Sequence, residues 1–137
     1  MTPFSAMDIG RTGVGMAHHW IDKIAHNIAN ANTVTATDQE PFRQATSLVQ
    51  PNQGGPFADS GSGVHTAARV VDESDPDLVF DPNHPLADED GYVQAPVVDT
   101  GKQMVDMMIA QRHYQSNLRT VSNAHEAYQA SLRLGRQ

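Results

Sequence analysis

Two stretches with the same seven-residue rhythm, one at each end of the chain, restrict its folding more than any other feature. Steps of seven from Met7 give Met7, Val14, Ile21 and Ile28, and the register offset by three gives Gly10, Ala17, Ile24 and Ala31. These are the a and d positions of a heptad helix. Near the other end Met107, Tyr114, Val121 and Tyr128 recur at the same interval, reinforced by Met104, Met108, Leu118 and Leu132. Neither stripe can stay in water, so the two ends are expected to pack as a coiled-coil-like pair of long helices. The fold class is mainly α with a small β-rich middle.

The first helix is expected to start at Phe4-Ser5-Ala6-Met7-Asp8-Ile9, with Ser5 as cap, Asp8 completing a capping box and Phe4 stapled onto Ile9. Gly10, Gly13 and Gly15 each cost about 1 kcal/mol relative to alanine inside a helix, so this helix is weak alone. Gly10 falls on the seam, where a missing side chain lets another helix approach closely. The order G-x-x-G-x-G has no strand before it and is not a dinucleotide fingerprint. The helix should stop near Asn30-Ala31-Asn32-Thr33, since asparagine tolerates the left-handed conformation. The C-terminal helix should open on a Thr100/Gln103 capping box and run to Leu134. Gly135 would end it, and Arg133 and Arg136 favour its negative end. Such a helix extends about 51 Å, more than the width of a compact domain of this size. Part of its stripe is therefore left for other subunits.

Between the helices, Pro41 to Val49 reads as a strand with Phe42, Gln44, Thr46 and Leu48 on one face, and Val64 to Val71 as a second. Leu78-Val79-Phe80 and Tyr92 to Ala95 read as a hairpin with a long, turn-rich connection. Together these strands are expected to form one small sheet with little apolar cover. Residues 50–63 have linker composition. The expected organisation is a discontinuous helical domain, 1–33 with 97–137, around a loop-and-strand domain at 34–96.

Charge is segregated along the chain. Of a net −7, residues 1–32 contribute nothing, whereas residues 33–96 hold eleven acids against two bases. Eight of those acids, with no lysine or arginine, lie between Asp72 and Asp90. An acidic centre disfavours nucleic acid, which needs a basic face to displace counterions. No apolar run approaches membrane-spanning length, and no basic flank and apolar block mark a cleavable signal. With no cysteine, neither disulfides nor thiolate metal sites are possible.

Catalytic constellations are weak. Asp59-Ser60-Gly61 and Asp99-Thr100-Gly101 have the form of aspartic-protease turns, but one lies in a glycine-rich linker and the other opens a helix, where Asp and Thr are ordinary capping residues. His18, Asp22 and His26 share a helix face at zinc-like spacing, away from the seam, and read as a polar stripe. The acidic clusters at 72–77 and 88–91 lack the glycine and terminal glutamate of the standard calcium loop. No catalytic residue, metal or cofactor is expected. Trp20, the single tryptophan, borders the N-terminal seam and suits a subunit contact.

Met7-Asp8-Ile9 followed by Ala25-His26-Asn27-Ile28-Ala29-Asn30-Ala31-Asn32-Thr33 resembles the N-terminal signature of flagellar rod, hook and filament-joining proteins, with His26 in place of the usual asparagine. Pro41-Phe42-Arg43, Phe80-Asp81-Pro82-Asn83-His84-Pro85, Ala87 to Val93, Pro96 to Asp99 and Met104 to Asn117 are similar to the proximal rod members. Gln103 and Val97-Val98 depart from that pattern, where Glu and Asn-Val are usual. The resemblance implies a structural subunit of the bacterial flagellar basal body. Such a subunit is exported by the flagellum's type III apparatus and polymerises in the periplasm with copies of itself and other rod subunits into the torque-transmitting drive shaft. It also brings Asn27 and Asn30 into the assembly interface expected from the two seams. The competing reading is a free-standing helical adaptor that binds a single protein partner.

Overall fold

A computed structural model describes residues 3–52 and 61–135. Helix α1 (Pro3–Ala29) and helix α2 (Thr100–Leu134) bracket four strands: β1 (Ala45–Pro51), β2 (Val64–Val71), β3 (Asp77–Phe80) and β4 (Tyr92–Ala95). The helices run antiparallel, Phe4 packing on Tyr128 with tilted rings at one end, centroids 4.8 Å apart, and Asn27 bonding to Gln103 at the other. No helix of the described residues is long and apolar enough to cross a membrane.

The helix ends differ in detail from the sequence expectation. Ser5 sits within the first turns of α1 rather than at its start, and Phe4 turns to Tyr128 instead of Ile9. Packing on α2 carries the helix back to Pro3, a residue that a first turn accommodates because it needs no N–H there. At the C-terminal end of α1 no asparagine takes a positive φ. The Asn30 side-chain amide instead donates to the His26 carbonyl oxygen at 2.8 Å, beside the Asn30 backbone N–H that the same oxygen accepts at 3.2 Å. Asp99, not Thr100, caps α2, its carboxylate accepting from Lys102 N–H at 2.9 Å.

The strands form two separate two-stranded antiparallel sheets, β1–β2 and β3–β4, not one. β2 and β4 have the expected bounds, whereas β1 starts at Ala45. The side it turns to the helices is Ala45 and Ser47, so Thr46 and Leu48 are exposed. The register of β1 slips at Leu48/Val49, a local bulge that bends the hairpin along α1. There Val64 N–H donates to the Thr12 hydroxyl at 3.0 Å, and that hydroxyl donates to Ile9 O at 2.7 Å. The second hairpin closes through Gly91, whose φ of +84° and contact with the Phe80 ring leave no space for a side chain.

The described core is thin and small-residue rich: Ala17, Ile24, Ala45, Val93 and Ala110, with Asn27 and Gln103 buried among them.

Candidate assembly surface

The contact between the helices is built on missing side chains. A Cβ on Gly10 would lie 2.8 Å from Val121 Cγ2, and one on Gly13 2.6 Å from the Asn117 side-chain oxygen. Ala17 and Ala110 are fully buried. Small residues on α1 thus let α2 approach to backbone distance, with dispersion contacts replacing bulk. Facing α1 from α2 are two interleaved heptad registers. One is the expected series Met107, Tyr114, Val121 and Tyr128, each half-buried. The other is Gln103, Ala110, Asn117 and Ala124, of which Gln103 and Ala110 are buried. Sequence periodicity missed this second register because small and polar residues do not register as apolar.

Where α1, α2 and β1 meet, a polar clamp replaces apolar packing. Asn27 Nδ2 donates to Ala45 O at 3.0 Å and to Gln103 Oε1 at 3.2 Å, while Ala45 N–H donates to Asn27 Oδ1 at 3.0 Å. Gln103 Nε2 donates to Gln44 Oε1 at 3.3 Å, and Gln44 Nε2 to Asp72 Oδ2 at 2.7 Å. Hydrogen bonds from Ser74 and then Gln44 hold the Asp72 carboxyl down to about 2, well under its ordinary 3.8. Beside the clamp lies an open groove of about 340 Å³, lined by Met16, Trp20, Ile24, Val49, Lys102 and Asp106 among others.

Among the residues expected at an assembly interface, Gly10, Ala17, Ile24 and Asn27 are buried within the chain. Met7, Val14, Ile21, Ile28, Met107, Tyr114, Val121 and Tyr128 are half-covered. So are Trp20, which meets His113 with ring centroids 6.1 Å apart, and Asn30. Met104, Met108, Leu118 and Leu132 do not join the helix contact and are exposed. Val105 and Ile109, which the heptad reading passed over, join Met104 and Met108 in an apolar surface around the first turns of α2, with exposures of 50%, 39%, 59% and 54%.

The residues weighed for catalysis or metal binding are not gathered. Asp99 caps α2, and Asp59 and Ser60 lie outside the described residues. His18 Nε2 is 3.9 Å from Asp22, and His26 instead meets Phe42 edge to face, centroids 5.4 Å apart. Asp88 is a turn organiser. Its carboxyl is held below the usual carboxylate range chiefly by the Tyr92 N–H, which donates to it at 2.8 Å.

Two long terminal helices paired around an extruded strand region, with apolar surface left on the outer helix, describe a structural subunit more than an enzyme. Residues 89–134 match the family described as flagellar basal body rod FlgEFG protein C-terminal. A protein of Escherichia coli O6:H1 described as flagellar basal-body rod protein FlgC is 34% identical, covering 98% of this chain and 99% of its own length. Proteins of the same description from Salmonella typhimurium and Bacillus subtilis are 33% and 27% identical, over 98% and 99% of this chain. The chain therefore belongs to the flagellar basal-body rod proteins, and within them to the FlgC family. It is a structural component of the basal-body rod that associates with other rod subunits, not an enzyme.

Proposed function

We propose that this rod subunit polymerises into a torque-transmitting shaft through the outward face of its helix pair. The observation that carries this reading is the apolar surface of Met104, Val105, Met108 and Ile109, on the side of α2 that α1 leaves uncovered. Four large apolar side chains at that density exceed the scattered exposure normal on a free surface. Leu118, at the flank of the helix contact, and Leu132, one turn beyond Tyr128, leave further large apolar side chains exposed toward the C-terminus. Residues 1–33 with 97–137 act as one helical unit of the inner tube, and 34–96 lies outside it against neighbouring subunits. The half-covered seam residues, Trp20 included, complete the contact at the edges of the pair. Staggered head-to-tail contacts of this kind do not close and so generate a helical array. Export through the flagellar type III apparatus and assembly in the periplasm fit a thin core and a glycine-bearing α1 that gains stability when neighbours cover the pair.

Ile109→Asp tests the reading directly. It adds a charge on the outward face without touching α1, so the purified chain should keep its helical circular dichroism. Its amount in isolated basal bodies should fall about tenfold or more, because burying an unpaired carboxylate costs several kcal/mol. Wild-type incorporation of this variant would sink the assignment of that face.

A further inference from the structure

We infer that the outer side of α2 is a cationic line that receives the acidic β3–β4 end of a second copy of this chain, an inference resting on the reading of the protein as a polymerising subunit. Arg112, Arg119, Glu126 and Arg133 recur every seven residues, which puts them in one line along the helix. Ala110, Asn117 and Ala124, each two positions earlier, lie on the α1 side. Two residues turn a helix by roughly 200°, so the arginine line runs along the side away from α1. All four of its residues are exposed. Among the described residues, none of the three guanidinium groups has an ion pair or hydrogen bond.

The complementary charge sits at the other end of the molecule. Asp72, Asp81 and Asp88 have local duties, accepting backbone N–H donors from Ser74, Asn83 and Tyr92. Glu73, Asp75, Asp77, Glu89 and Asp90 are exposed carboxylates with no ion-pair partner among the described residues. They flank Leu78 and Phe80, whose exposures of 62% and 63% leave an apolar patch inside the acidic rim. The two surfaces are held apart within one chain. β4 leads through Pro96 directly into the start of α2, and from there Arg119 lies about 28 Å and Arg133 about 50 Å along the helix.

A copy displaced along the axis brings its acidic, apolar-centred hairpin beside the arginine line, where Leu118 offers an apolar neighbour. Each copy carries both halves of the contact, so it is head-to-tail, and the displacement along the axis keeps it from closing into a ring. The charges favour that stagger, because offsets that take the hairpin off the arginine line lose the attraction between opposite charges.

The test is a charge swap in the full-length chain, expressed in cells lacking their own copy and read as the amount recovered in isolated basal bodies. The set Arg112→Glu, Arg119→Glu and Arg133→Glu should lower incorporation about tenfold, and so should Asp75→Lys, Asp77→Lys and Glu89→Lys, since each sets like charges together. Both sets in one chain invert both surfaces and should restore incorporation to within about threefold of wild type. Rescue also shows that neither set fails by misfolding. Either set incorporating normally alone, or a combined chain no better than the worse single set, would overturn the inference, the latter assigning the arginine line to a different rod subunit. Absence of the unaltered chain from basal bodies would instead remove the polymerising reading itself.

Discussion

Asn27 is a side chain that an apolar count ignores, yet it is among the most buried in the molecule and holds both polar groups of the Ala45 peptide. Replacing it with leucine strands a buried N–H and a buried C=O, each costing about 1–3 kcal/mol. Asn27→Leu should therefore lower stability by about 2–4 kcal/mol in urea unfolding followed by circular dichroism. Alanine at the exposed Asn123 should change it by less than about 0.5 kcal/mol. Asp72 makes a pH prediction. Its folded-state value is depressed, so its stabilisation is complete above the ordinary 3.8 and disappears as pH falls through about 2. Asp72→Asn should remove that part of the acid transition, visible as a shallower loss of stability between those values. Neither residue's partners could be read from the chain: Gln103 was expected to form a capping box with Thr100, and its reach to Asn27 depends on an antiparallel register that only the packed pair defines.

For the elements, legibility followed chemistry. β2, β4 and the C-terminal end of α2 stood where β-branched runs and the Gly135 stop put them. β1 did not, because its start is set by the Asn27 clamp across the molecule and not by local propensity. The single expected sheet became two hairpins because the segment from Asp72 to Pro76 leaves β2 without returning beside it. The glycines of α1 can be told apart by what surrounds them. Gly15 has nothing within 4 Å of an added Cβ, so Gly15→Ala should stabilise the chain by about 0.5–1 kcal/mol through helix propensity. Gly10→Ala meets Val121 at 2.8 Å and should destabilise by about 1–2 kcal/mol net. A Val121→Ala partner should relieve most of that penalty. The diagnostic quantity is the coupling in a double-mutant cycle, and additive effects of the two changes would refute a close crossing at that point.

At the scale of the whole molecule, stability is concentrated where α1, α2 and β1 meet and thins outward. Amide hydrogen exchange should be slowest in α1 and α2 around Ala17, Ile24 and Ala110, and faster in β3, where every residue is exposed. Equal protection in α1 and β3 would contradict a core centred on the helix junction. The general shape, two terminal helices with strands between, was open to reading because heptad spacing survives any detail of packing. The exposed apolar face proposed for assembly was not, since Val105 and Ile109 break the heptad and acquire meaning only once α1 is seen to cover the opposite side. The two helices also finish unevenly: α2 continues more than a turn past Tyr128, the residue against which Phe4 packs. Units with flush ends can be laid in level tiers, whereas a unit with a projecting lip fits its neighbour only with an offset. The spiral pitch of a stack would then be written into the difference in length between two helices of a single chain.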